Sequence, residues 1–418
     1  MTELRCSNRA CGRKLALHER ALACPRCGEL LEIGLVRVEG EPEQVKRLWL
    51  ERKLSNDPRD RSGVWRFREF LPGGYELEET ITLAEGNVPL IAGNKSAAWA
   101  GVRDLWFKHL GWNPTGCFKD LGMTVGITEA KHVGAKAVGC ASTGNTAASL
   151  AAYAARAGME CRVYLPAGQV SHNKLAQALD FGAQVVQIPG SFDDALDTLL
   201  RNSDGELYFL NSINPFRIEG QKTAMIEMLE QFGWRVPDYL VCPGGNLGNS
   251  SAFGKAFEEL QQFGFIEKAP RMVIVQAAGA NPLARMWREN GQVLRPVERP
   301  ETVATAIRIG NPRSWKKALH ALQFTNGMAI DVTDEEIGEA KEIIGRDGIG
   351  CEPASATTLA GIRKLVRAGQ MEPDARIAAV LTGHALKDTD YIIKRFQKRT
   401  ESGSQTERSS SAVEMHAH

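Results

Sequence analysis

The chain of 418 residues has almost no net charge, since 51 Lys and Arg against 50 Asp and Glu leave a formal +1. Nucleic acid, a membrane surface or a polyanion is therefore not favoured as a general partner. It also lacks an apolar run of membrane-spanning length, and its opening MTELRCSNRACGRK has no apolar secretory core, so the cytoplasm is the expected location. Cysteine is sparse outside one crowd: four of nine fall within the first 27 residues and five stand singly. That distribution excludes a disulfide framework and suits a reducing compartment with one metal site. What is present is 43% apolar residues on a chain long enough for two or three domains, the profile of a small-molecule enzyme.

Cys6-x4-Cys11 and Cys24-x2-Cys27 form two short knuckles joined by a twelve-residue arm, a spacing that lets four thiolates converge on one zinc ion. A closed four-thiolate site has no open position for water, so its expected role is to hold a small module (residues 1–38) that has too little core of its own. An empty or degenerate ribbon is the alternative. Such ribbons often touch nucleic acid, and Arg5, Arg9, Arg13, Lys14 and Arg26 lie here, but no exposed aromatics are interleaved with them, which argues against that use.

Beyond a charged linker (residues 39–62) the sequence alternates β-type runs with Gly-rich loops and Ala-rich helical stretches, the pattern of α/β layers on parallel sheets. One series has strands at 137–141, 161–165 and 184–188 and helices at 146–157, 174–181 and 193–201. A second has strands at 239–242, 272–276 and 377–381 and helices at 249–263, 333–346 and 354–368. Two α/β domains with a cleft between them are expected. From Glu401 the chain is polar and aperiodic and is expected to be disordered.

Three segments carry the candidate chemistry. Ser142-Thr-Gly-Asn-Thr146 and Gly244-Gly-Asn-Leu-Gly-Asn249 each join a strand to a helix, where free amides and the helix dipole attract anions. A plain βα turn is the alternative for the first. The second lacks the G-x-G-x-x-G order of a dinucleotide site and the terminal lysine of a P-loop. The third, Asn113-Pro-Thr-Gly-Cys-Phe-Lys-Asp120, sets Lys119 among turn residues. A lysine shielded there becomes a neutral amine able to form a Schiff base, whereas a solvated one is merely a surface charge.

These segments, with NSINPFRIEGQKT from Asn211, CEPASA from Cys351 and LTGHALKD from Leu381, stand in the order found in threonine synthases. The chain resembles that family of fold-type II (tryptophan synthase β-like) pyridoxal-phosphate enzymes over roughly Trp65 to Asp388. The resemblance implies a larger cofactor domain (39–111 and 216–398), a smaller mobile one (112–215) and a tail at 399–418. It implies that Lys119 holds pyridoxal 5'-phosphate as a Schiff base and later moves protons. Asn145 is implied to bond the phenolic oxygen, Gly244, Gly245, Asn246, Leu247, Gly248 and Asn249 to wrap the cofactor phosphate, and Thr382 to face the ring nitrogen. The implied substrate is O-phospho-L-homoserine, its carboxylate on Ser142, Thr143 and Thr146 and its phosphate on Asn211, Ser212 and Arg217. A homodimer is usual for the family.

FKDLGMTV resembles the plant-type branch, and CEPASA the shorter bacterial enzymes. Cys117 replaces the usual serine, Val88 a threonine and Ala385 a glycine. Cys117 reads best as a small buried filler, His384 as a structural histidine, and Glu352 as a helix cap. Rival readings are a threonine or serine dehydratase, which needs no second phosphate site, a cysteate synthase acting on phosphoserine and sulfite, and a non-enzymatic zinc-ribbon binding protein.

Overall fold

The computed structural model describes residues 2–34, 38–142, 144–167, 172–189, 207–395 and 397. The expected helix at 193–201, the tail from 399 and Thr143 lie outside them. At the N-terminus, β1 (Leu4–Cys6), β2 (Lys14–Leu15) and β3 (Leu31–Ile33) make a small antiparallel sheet in the order β2-β1-β3. Its inward residues Leu4, Leu15, Leu31 and Ile33 bury themselves in the main core of the molecule rather than in one of their own. That follows from size, since a module this short cannot enclose a core.

The stretch expected to be a linker contains a helix, α1 (Pro42–Arg52). It is docked rather than free: Trp49 is fully buried among Phe67, Phe70 and Phe265, and its indole Nε1 donates to Glu69 Oε2 at 2.8 Å. Many charges had masked a single aromatic anchor.

The body is built on two sheets. The larger has six strands, β4 (Leu90–Ala92), β5 (Asp104–His109), β10 (Tyr239–Pro243), β11 (Arg271–Ala277), β12 (Met328–Val332) and β13 (Arg376–Leu381), in the order β12-β11-β10-β13-β5-β4. All its pairings are parallel except β4 with β5. The smaller is fully parallel, with β6 (Ala137–Ala141), β7 (Glu160–Pro166), β8 (Gln184–Ile188) and β9 (Leu207–Phe209) in the order β8-β7-β6-β9. The inner strands β6, β10, β11 and β13 are almost wholly buried and read as short apolar runs, as strands covered on both faces do.

Among the helices, α2 (Asn94–Ala100), α8 (Pro282–Arg288), α9 (Trp315–Phe324) and α10 (Asp334–Arg346) lie on the larger sheet's side. Those that position the site are α3 (Lys119–His132), α4 (Asn145–Ala157), α5 (His172–Asp180), α6 (Pro215–Gln231), α7 (Gly248–Gln262) and α11 (Pro353–Arg367). Helices α3 and α6 cross with their backbones almost touching. A Cβ on Gly220 would fall 1.8 Å from the Leu121 carbonyl oxygen, and one on Gly122 would fall 2.7 Å from that of Arg217. Only glycine permits the approach. Helix α3 serves both cores, with Leu121 and Val125 in the main one and Met123, Ile127 and Ala130 in that of the smaller sheet.

Candidate active site

Parallel strands release their loops at their carboxyl ends, and ligands collect there. Strand β6 runs into Ser142, β10 into Gly244 and β13 into Thr382, and all three open on one cleft of about 1130 Å³. Lys119, Ser142, Asn145, Thr146, Asn211, Ser212, Arg217, Gly245, Asn246, Leu247, Gly248, Asn249 and Thr382 line it. Gly244 lies at the start of its loop, with its N–H tied to Val275 O at 2.8 Å. The separate sequence segments thus converge.

Lys119 opens α3, and the loop before it is stitched down on two sides. Asp120 accepts from Thr115 N at 2.7 Å, Thr115 Oγ1 at 2.6 Å and Ser149 Oγ at 2.6 Å, and burial raises its pKa to about 6. On the other side Phe118 N donates to Thr382 O at 3.0 Å and His384 N to Gly116 O at 2.9 Å. Gly116 takes φ +81°, open to glycine at little cost. The lysine side chain borders the cleft, with Nζ 3.9 Å from the Phe118 ring centroid. Desolvation first, and the Arg217 charge second, lower its pKa to about 8. Cys117 is fully buried with its thiol raised to about 11 by burial, as expected of a filler.

Arg217 is the second notable group. It is fully buried, Nη1 donates to Leu210 O at 3.3 Å, and Nε and Nη2 have no partner among the described residues. Desolvation lowers its pKa to about 10, so it remains a cation at neutral pH. A buried guanidinium with two donors to spare could take up an anion that arrives from the cleft. Beside it, the Asn211 amide is held by Ala141, accepting from its N–H at 3.1 Å, and Asn246 Nδ2 donates to Ser212 Oγ.

The glycine loop fits a phosphate group. Leu247 holds the left-handed conformation at φ 64° as N-cap of α7, with no side chain capping the helix, so the first-turn amides remain for a ligand. Space at the first two glycines is tight: a Cβ on Gly244 would lie 2.7 Å from Ile274, too close to fit without a shift, and one on Gly245 would press on Ile307 at 3.1 Å. Asn249 braces the turn, its Nδ2 donating to Pro243 O at 3.0 Å.

His384 caps a short turn by accepting from Leu386 N at 3.3 Å, a structural role as expected. Glu352 departs from expectation. It occupies the N-cap position of α11 but makes no capping bond; its carboxylate turns into the cleft and accepts from Asn145 Nδ2 at 3.1 Å and Thr382 Oγ1 at 3.2 Å. Nothing in CEPASA signals this, because the partners are supplied by other strands. Asp120 and Lys387 also escaped the sequence reading. Lys387 lines the cleft and links Thr115 O, at 3.1 Å, to Gln177 on α5.

The four N-terminal sulfurs all lie within 4.8 Å of one another, with Cys6 and Cys27 at 3.4 Å and Cys11 and Cys24 at 3.7 Å. Zinc–sulfur bonds of about 2.3 Å set the edge of a tetrahedron near 3.8 Å, so this donor set fits zinc. Of the basic residues around it, Arg5 pairs with Glu32, Arg9 with Glu258 and Lys14 with Glu3.

A half-buried lysine, a glycine loop that fits a phosphate and a cation-lined cleft between two mainly parallel sheets could together hold pyridoxal phosphate, and the chain belongs to the pyridoxal-phosphate dependent enzyme family, whose pattern it matches over residues 81–383. Within that family it is 47% identical to the threonine synthase of Methanocaldococcus jannaschii, over 92% of this chain and 93% of that one. The threonine synthase of Methanosarcina acetivorans is 43% identical over 94% of each. Maize serine racemase shares the fold, with a TM-score of 0.63 over 76% of this chain and 94% of that one at 20% identity.

Proposed function

We propose that this protein is a threonine synthase, converting O-phospho-L-homoserine and water to L-threonine and phosphate. The observation that carries this reading is Arg217, a buried cation with two donors unpaired among the described residues, in the same cleft as a lysine of lowered pKa. The cradle at Gly244–Asn249 accounts for one phosphate group, the cofactor's, and Arg217 with Asn211 and Ser212 for a second, the substrate's. A dehydratase has no use for the second.

Pyridoxal phosphate, when bound, supplies the electron sink for charge developed on the substrate carbons. Lys119 would hold it and then serve as base, a role that its pKa of about 8 suits near neutral pH. Ser142 and Thr146, with Thr143, would orient the substrate carboxylate, while Asn145 and Thr382 would face the ring. Arg217 would bind the phosphate and stabilise the charge that grows as its bond to the γ carbon breaks. Lys387 and Gln177 join α5 to the Lys119 loop across the cleft mouth, where closure would keep water out until it adds at the β carbon. In this reading residues 112–215 form the mobile lobe, 39–111 and 216–398 the fixed one, and two chains assemble as a homodimer.

The test offers phosphohomoserine, phosphoserine with sulfite, threonine and serine separately to the purified protein and identifies products. Threonine and phosphate from the first alone support the assignment. Cysteate from the second, or ammonia and an oxo acid from the last two at comparable rates, would replace it.

A further inference from the structure

Hydrogen-bond polarity under the expected ring position can be read outward from the backbone. Ser355 Oγ accepts from Thr382 N at 2.9 Å and from Gly383 N at 3.2 Å, which uses both its lone pairs. Its own hydrogen must then go outward, and Thr382 Oγ1 lies 3.1 Å away. Thr382 in turn passes its single hydrogen to Glu352 Oε1 at 3.2 Å. The other carboxylate oxygen takes one hydrogen of the Asn145 amide at 3.1 Å. The chain of donations therefore runs one way, from two backbone N–H groups through Ser355 and Thr382 into Glu352.

Glu352 is not free to swing out of this arrangement. Its carboxylate rests on Gly383, where a Cβ would fall 2.5 Å from the carboxyl carbon, and its N–H donates to Gly383 O at 3.0 Å. Burial raises its pKa, while Asn145, Thr382, Lys119 and Lys387 pull it back.

We propose that Glu352 is a positioning residue of the cofactor site: by taking the Thr382 hydrogen it leaves that hydroxyl only a lone pair to show the cleft, so the ring nitrogen opposite must bring its own proton. A hydroxyl alone would leave ring protonation open. Anchored to a carboxylate, it favours the protonated ring and with it the stronger electron sink. The same carboxylate fixes Asn145 with its second amide hydrogen left for the ring's phenolic oxygen. The proposal rests on the cofactor reading above, with Thr382 across from the ring nitrogen.

The experiment loads the full chain with pyridoxal phosphate carrying the heavy nitrogen isotope in its ring and records the ring nitrogen resonance. The wild type is expected at the position of a protonated pyridine. In Glu352→Ala the Thr382 hydrogen is released toward the cleft, and the resonance is expected to move to the unprotonated position. If Ala does not fold, Glu352→Gln serves: Asn145 and Thr382 bond to different carboxylate oxygens, and the amide puts an NH2 donor in one of those places, so either the ring resonance moves or Asn145 turns over and the visible absorbance shifts. A mere helix-start role for Glu352 predicts no change in either variant, and that result overturns the proposal, as does an unprotonated ring in the wild type. Failure to develop visible absorbance with pyridoxal phosphate at all overturns the cofactor reading and this proposal together.

Discussion

Replacing Arg217 by methionine separates what the guanidinium costs the fold from what it gives the reaction. The stem of Arg217 packs on glycine, where Cβ atoms on Gly122 and Gly126 would lie 3.2 Å from its Cβ and 3.3 Å from its Cγ, and methionine preserves most of that contact. The change removes two buried donors that have no partner among the described residues. Each unsatisfied buried polar group costs about 1–3 kcal/mol, and more when charged, so Arg217→Met should stabilise the protein by at least about 1–3 kcal/mol in urea unfolding. Turnover of phosphohomoserine should fall by about 10²–10³, the loss on deleting one preorganised donor. Inorganic phosphate at about 100 times its dissociation constant should stabilise the cofactor-loaded wild type by about 2.7 kcal/mol and leave the variant unmoved. With the glycine cradle already filled, equal stabilisation of both proteins would refute the second phosphate site. A variant that loses stability yet keeps its turnover would refute the reading of Arg217 altogether.

Lys119 has a folded pKa of about 8, below the 10.5 of an ordinary lysine, so between these values the unfolded chain holds the extra proton and stability of the cofactor-free protein should rise with pH across that window. Thermal unfolding in Lys119→Ala should show a flatter profile, and an identical slope in both proteins would discount the lowered pKa. Gly220→Ala should cost at least the ~1–3 kcal/mol of an overpacked core, since the obstacle is a carbonyl oxygen that no rotamer change can move. Gly345→Ala, in α10 with nothing within 4 Å of its would-be Cβ, should instead gain roughly 0.5–1 kcal/mol in the same denaturation assay. Metal analysis should find one zinc per intact chain and none after removal of the first 35 residues. That truncation also uncovers core and strips acceptors from Lys255 and Lys317, which donate to Ile33 O and Leu31 O, so it should lower stability more than it alters the chemical step.

Where the sequence was legible, one face or one strand carried the signal alone. Strands β6 and β8 fall on the expected residues, and α4, α7, α10 and α11 begin within a residue of expectation, because each joins an apolar run to a turn or a cap such as Thr333. Helices α3 and α6 gave no such signal. Every residue from Asp120 to Ala130 and from Pro215 to Glu230 is buried, so neither helix has an apolar stripe against a polar one, and glycine at the crossing further dilutes the pattern. At the site, the loops and Lys119 were readable as local motifs. The inward turn of Glu352 was not, since it depends on Asn145 and Thr382, some 207 and 30 positions away along the chain.

The glycine crossing of α3 and α6 makes two reactive ends into one casting. Lys119 begins one helix, Arg217 lies in the first turn of the other, and between them the main chains meet without intervening side chains. Side chains can repack when lobes rock, but two backbones in contact have no slack to take up. Closure of residues 112–215 would then pivot about this crossing, so the span from amine to guanidinium would change least while Ser142 and Asn145, farther out on the same lobe as Lys119, swing through more. Substrates would be measured for length by that pair at the pivot before Ser142 and Thr146 close on their carboxylate.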